Sequence, residues 1–387
     1  MSLADVSPKA LLAKLVGFDT TSSKSNLPLI AFVEQYLAEH GVASERLPAP
    51  DQPKASLFAT IGPAGRGGIG LSGHTDVVPT EGQAWSSDPY TLTERDGRLY
   101  GRGTCDMKGF LACVLAAVPH FKARDLTIPL HLLFSYDEEI GCLGVRPMIG
   151  KLGRGLAEPE TIVVGEPTSM GVVDAHKGIH AFVTEVRGHA AHTSMPHLGV
   201  NAISVAGRVV AEIDRLAAKL RDRRDGERFT PPYTTVSVGK IAGGTALNIV
   251  PRDCRVTWHL RSVPGTDPEE VPRRLAEFVE RELRPAMAEI APQTGVETRR
   301  LGGIPGFSAA PGSPAVSLAL RLSRQNDVQA VSYGTEAGLF EEAGRPTVVC
   351  GPGDIAQAHT ADEFIEEAQL AECMAFLERL ADHASGG

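Results

Sequence analysis

The chain has 387 residues, 42% hydrophobic and 22% charged, a balance that supplies a core and excludes disorder as the dominant state. At about 100–200 residues per domain the length calls for two domains. With 38 Lys and Arg against 47 Asp and Glu, the formal net charge of -9 argues against nucleic-acid binding, which needs concentrated cations to neutralise phosphate.

The opening segment MSLADVSPKALLAKLVGF lacks a basic region followed by a long apolar stretch, and its apolar residues recur at helical spacing. It therefore reads as a short amphipathic helix and not as a signal peptide. A helix over 28–40 stops at Gly41, and SLFATIG and GGIGLSGHTDVV follow as strands. Next come the helix MKGFLACVLAAVPHFKA, the strand LTIPLHLLFSYDEE and the strand TIVVGEP. Strands that are apolar throughout, separated by helices, predict an α/β fold: a mostly parallel sheet with helices on both faces.

After Gly178 the texture changes. The strand IHAFVTEVRG alternates, and a long amphipathic helix, NAISVAGRVVAEIDRLAAKLRD, follows it. YTTVSVGKIAGG, RDCRVTWHLRSV, a charged helix over 267–290 and GVETRRLG complete the order β-α-β-β-α-β. That order suits a ferredoxin-like α+β domain with two helices on one face of a small open sheet. From about residue 305 the parallel-sheet texture returns. The expected organisation is a catalytic domain over 1–177 and 294–387, interrupted by a smaller lid or dimerisation domain over 178–293. Alternating strands that need cover on an edge or face predict a homodimer.

No apolar run approaches the roughly 18 residues that span a membrane, so a soluble, cytoplasmic protein is expected. Cys105, Cys113, Cys142, Cys254, Cys350 and Cys373 form no C-x-x-C pair, which predicts reduced, packed thiols.

The chemistry gathers at predicted strand ends, where open α/β sheets bind ligands. His74 and Asp76 lie in LSGHTDVVP, and a carboxylate two residues beyond a histidine can fix its tautomer. A turn carboxylate beside an ordinary histidine explains the same residues. Asp106, in GRGTCDMKG, reads equally as a ligand or as a helix N-cap. Asp137, Glu138 and Glu139 close an apolar strand. They are either a solvated turn or carboxylates pointing in different directions, one binding a cation while its neighbour accepts a proton. Glu166 in VVGEPT and His359 in GPGDIAQAHTADEFI are unremarkable singly. Together these strand ends supply a ligand set suited to zinc or another divalent first-row ion. A serine nucleophile has no G-x-S-x-G segment to sit in.

As a set, SGHTDVVP, GRGTCDMKG, DEEIGCLG, VGEPT, GHAAHTSMP and the late GPGDIAQAHTADEFI resemble the di-zinc aminoacylase and carboxypeptidase family, from about residue 10 to about residue 380. The resemblance implies two divalent ions, zinc with cobalt as an alternative. His74 and Glu166 would hold one, Glu139 and His359 the other, and Asp106 would bridge them. It further implies that Asp76 orients His74, that Glu138 is the general base, and that His192 stabilises the oxyanion, across a subunit interface in dimeric members. Asn248 and Arg261 match substrate-contacting positions, and Arg261 suits a carboxylate because its planar fork pairs bidentately.

Within the family, YGTEAGLF over 333–340 resembles the branch that deacetylates N2-acetyl-L-ornithine in arginine biosynthesis. Succinyl-diaminopimelate and broader N-acyl amino acids are the alternative substrates. A free ammonium on such a substrate needs an acidic partner, for which Glu336 is the expectation. Thr360 and Ala361 depart from the Lys-Pro of many relatives, which bears on rim contacts and not on the metal ligands.

Overall fold

A computed structural model of the protein describes residues 7–64 and 67–386. Its contacts form two compact units. The larger runs up to Asp174, takes up Ser308–Gln329 and continues from Thr335; the smaller comprises Ala175–Phe307 and Ala330–Gly334.

Four strands make the centre of the larger unit's sheet: β1 (Ile69–His74), β2 (Leu130–Ser135), β3 (Thr161–Val164) and β4 (Thr347–Val349). They lie in the order β2-β1-β3-β4 and are parallel throughout, with Leu71 opposite both Leu132 and Val163, and Val348 opposite Val163. Every residue in these strands is buried, which is why their sequences show no polar alternation. The flanks are antiparallel. Ala55–Ile61 pairs with β2 and with Ser44–Pro48, and Val173 pairs with Val349 on the other side. The short strand Ser44–Pro48 is largely exposed and carries no clear apolar pattern, so it is illegible in the sequence.

Helix α1 (Gly109–Ala123) buries Phe110, Leu111, Val114, Leu115 and Val118 and packs against α2 (Glu367–Ala384) through the common core. A helix apolar nearly all round is one covered on several sides. Each such Leu or Phe contributes about 1.5–3 kcal/mol by leaving water. The amphipathic reading of the N-terminus falls on a helix over Pro8–Val16 whose Leu11, Leu12, Leu15 and Val16 are buried; the first six residues lie outside the described ones.

In the smaller unit, strand, helix, strand, strand, helix and strand follow one another. The sheet order is Thr235–Gly243, Asp253–Ser262, Gly178–Arg187, Gly295–Ile304, with all neighbours antiparallel. The alternation in these strands gives one apolar face, where Phe182 and Trp258 stack at 4.4 Å among Val256, Leu216 and Leu275. Gly295–Ile304 pairs along its length with Gly178–Arg187, so this unit extends to Phe307, beyond the 293 boundary expected from the sequence.

All six cysteines are buried free thiols. Among the described residues no helix is long and apolar enough to cross a membrane.

Candidate metal centre

Because β1 to β4 are parallel, their C-terminal ends open onto one side of the larger unit. His74 is the last residue of β1. Glu138 and Glu139 follow β2, Glu166 follows β3, and the chain leaving β4 leads to His359. Gly165 permits the approach at Glu166: a Cβ there would lie 2.1 Å from the Phe110 ring. Asp106 sits in the turn before α1, and its peptide bond to Met107 is cis.

These side chains converge. Oδ1 of Asp106 lies 3.0 Å from Nε2 of His74, and Oδ2 lies 3.2 Å from Nε2 of His359. Glu166 Oε1 is 3.7 Å from His74 Nε2, and Glu139 Oε1 is 3.1 Å from His359 Nε2. One carboxylate thus faces two imidazoles with its two oxygens, and each imidazole has a further carboxylate beside it. His74, Glu138 and Glu166 also present ligand atoms to one another.

The environment of each group follows from its neighbours. Nδ1 of His74 is 2.9 Å from the main-chain carbonyl of Asp76, so Nδ1–H donates there and Nε2 is left for the centre. The Asp76 carboxylate lies farther off, with Oδ1 3.6 Å from Nδ1, and other donors engage it. It accepts from the Ser22 hydroxyl at 2.7 Å and from the N–H groups of Glu138 at 3.1 Å and Glu139 at 3.3 Å. Asp76 therefore orients His74 chiefly through its backbone and braces the Glu138–Glu139 corner with its side chain. Asp137 points elsewhere: it is wholly buried and pairs with Lys54 Nζ at 2.5 Å. That pairing lets an acidic triplet end a buried strand, a solution invisible in sequence because Lys54 lies on another segment.

Burial pushes the carboxyls of Glu138 and Glu166 well above the ordinary range, and that of Glu139 up to about 7, with neighbouring carboxylates adding to each. Hydrogen bonds that the His359 ring donates to Asp106 and Glu139 raise it to about 10. Burial alone would lower His74, but the Asp106 hydrogen bond and the Glu166 charge outweigh it and carry it well up. Asp106 is depressed: burial opposes its ionisation, and the two imidazoles more than offset that. So much buried negative charge against two histidines calls for cations, and imidazole with carboxylate is the donor chemistry of divalent first-row ions.

Other expected residues have different surroundings. Glu336 is 1% exposed, and its carboxylate accepts from the hydroxyls of Ser72 at 3.0 Å and of Ser135. Each oxygen thus accepts one hydroxyl inside the fold, and the carboxylate is buried and not on an open loop. In the smaller unit His192 is exposed, with Nδ1 2.7 Å from the Ser194 hydroxyl. Asn248, also exposed, accepts the N–H of Thr193 through its main-chain carbonyl, so those two segments run together. Arg261 is half-buried near the end of Asp253–Ser262. Sequence reasoning missed Ser22, Lys54 and Glu363 as supports of the centre. Their only signal was polarity inside otherwise packed segments.

A largely buried strand-end cluster of this chemistry, open at His359, on a parallel sheet with helices, is that of a metal-dependent hydrolase, and comparison with known proteins agrees. The family model described as Peptidase family M20/M25/M40 matches residues 70–383, and the chain belongs to that family. It is 38% identical over 391 residues to an acetylornithine deacetylase of Myxococcus xanthus, covering 98% of each chain. To an acetylornithine deacetylase of Proteus mirabilis (strain HI4320) it is 36% identical over 361 residues, covering 93% of this chain and 89% of the relative. Its fold is similar to the crystal structure of an M20 family metallo-carboxypeptidase from Sulfolobus solfataricus, with TM-score 0.75, 18% identity, and 97% and 98% of the two chains covered.

Proposed function

We propose that the protein is a two-metal amidohydrolase that cleaves N2-acetyl-L-ornithine to L-ornithine and acetate. The observation that carries the two-metal reading is Asp106, whose two oxygens face His74 and His359 separately. In this reading His74 and Glu166 would hold one ion and Glu139 and His359 the other, with Asp106 a ligand to both; zinc would fit the donors, and cobalt too. Such ions, when bound, polarise the acyl carbonyl and acidify water.

The chain's own residues then divide the remaining work. Glu138 takes a proton from the attacking water and delivers it to the departing amine, a task suited to a carboxyl that burial makes more basic. His192 donates to the oxyanion of the tetrahedral intermediate, within one chain or from a second copy. Asn248 and Arg261 bind the substrate's polar groups, Arg261 taking the α-carboxylate. Glu336 serves here as a tie between the strand ends at Ser72 and Ser135.

The choice of substrate rests on relatives named acetylornithine deacetylase that match this chain over nearly its full length. The smaller unit serves as a dimerisation domain: Ile241, Leu247 and Ile249 are exposed on and beside its edge strand, and pairing two copies there would cover them. Six unpaired buried thiols suit the cytoplasm. Rates on N2-acetyl-L-ornithine, succinyl-diaminopimelate and N-acetylmethionine test the substrate. The highest kcat/KM is expected on acetylornithine, and a preference for either other compound overturns that assignment.

A further inference from the structure

Glu363 is buried, and its two oxygens receive four donors. Oε1 accepts the main-chain N–H of Cys105 at 2.9 Å and of Asp106 at 3.0 Å. Oε2 accepts the N–H of Gly103 at 3.0 Å and Nη1 of Arg102 at 2.7 Å. The next residues, Phe364–Glu366, pair antiparallel with Arg98–Tyr100. The chain just after His359 is thereby laced to the chain just before Asp106, by backbone and by side chain.

Arg102 carries the connection further. Its side chain is fully buried, lies over the Trp85 ring at 5.0 Å, and donates Nη2 to the carboxamide oxygen of Gln83. Gln83 in turn donates Nε2 to the main-chain carbonyl of His359 at 2.9 Å. His359 has φ +61, a left-handed conformation that costs a non-glycine residue energy and needs its surroundings to hold it. Asp362 is fastened as well, accepting from the N–H and hydroxyl of Ser86 at 2.8 and 3.0 Å.

We infer that Glu363, Arg102 and Gln83 form a brace that fixes the Asp106 carboxylate and the His359 imidazole as one unit, and so sets affinity at the metal position shared by Asp106, Glu139 and His359. The inference rests on the two-ion reading above. A carboxylate receiving a guanidinium and three main-chain N–H groups is a strong, charge-assisted anchor. Partners of this kind, behind the ligands, typically govern metal affinity by about 10–100-fold. The His74 and Glu166 position depends on strand ends and shares only Asp106 with the brace, so loosening the brace acts unevenly. These are positioning residues: none offers an atom to an ion.

The test is a Zn²⁺ titration of chelator-stripped protein against a competing chromophoric chelator, for wild type, Gln83→Ala and Glu363→Gln, with thermal melting recorded alongside. Wild type should take up two ions per chain. Gln83→Ala should hold the first ion as wild type does and the second about 10-fold more weakly. Glu363→Gln should weaken the second ion further, because its amide sets N–H groups against Gly103 and Arg102. If Gln83→Ala fails to fold, Gln83→Glu keeps the acceptor for Arg102 but opposes the His359 carbonyl with oxygen, and the same uneven loss is expected. In each variant kcat at limiting zinc should fall and recover in excess zinc, with KM unchanged. Unchanged affinity at both positions, or equal loss at both, overturns the brace. A single ion bound by wild type overturns the two-ion reading instead.

Discussion

The carboxylate of Asp76 accepts the main-chain N–H of Glu138 at 3.1 Å, while its own carbonyl receives Nδ1 of His74 at 2.9 Å. One residue thus positions a ligand and the expected general base together. Asp76→Asn keeps the shape and the His74 contact but replaces one acceptor by a donor facing an N–H or the Ser22 hydroxyl. Activity should fall about 10–100-fold. The signature is a drop in kcat with metal content retained, measured by steady-state kinetics and elemental analysis of the same sample. Wild-type kcat would dismiss the corner-bracing role.

Glu138 holds no place in the proposed ligand set, and this separates catalysis from metal binding. Glu138→Gln should lower kcat by on the order of 10²–10⁴-fold, the scale of a lost proton carrier, and leave ion stoichiometry unchanged. Loss of an ion together with activity would make Glu138 a ligand and not the base.

The centre should couple metal to pH in a definite direction. Asp106 and Glu139 raise His359 to about 10 from an ordinary 6.5, so in the ion-free fold its proton stabilises fully below about pH 6.5. That support drains away as pH climbs toward the folded value. Glu139, raised to about 7 by burial, acts in the same sense, because it ionises at a cost in the ion-free fold as pH rises. Divalent ions need both groups deprotonated, so their affinity grows over the same window. The gap in Tm between ion-loaded and chelator-treated protein should therefore widen from pH 6.5 to pH 9 in calorimetry. A gap that narrows contradicts this electrostatic account.

Stability at the same corner depends on Lys54. Its ammonium and Asp137 are both buried, and removing one partner strands the other's charge. Lys54→Met should cost about 3–5 kcal/mol in chemical denaturation. Lys54→Met with Asp137→Asn should recover part of that loss, because a neutral amide is cheaper to bury than a carboxylate. A double variant no more stable than the single one would show that the pair's charge is not what matters.

Much of this was legible in the sequence because its causes are local. Apolar runs without alternation marked β1 to β3, and acids and histidines directly beyond them marked the centre. His74, Asp106, Glu139, Glu166 and His359 do come together. What stayed hidden depends on partners remote in sequence. Glu336 reads as a loop acid free for substrate until Ser72 and Ser135 are seen to occupy it. The partners of Glu363 are as remote, since the turn at Cys105 and Asp106 folds against it. Ser44–Pro48 escaped because partial exposure and short length leave no period to detect.

The central claim is that Asp106 spans two divalent ions. Anomalous diffraction from crystals loaded with zinc tests it most directly. The account predicts two peaks roughly 3.5–4 Å apart on either side of the Asp106 carboxylate, one beside His74 and Glu166 and the other beside Glu139 and His359. A single peak, or two peaks that Asp106 does not join, would contradict it.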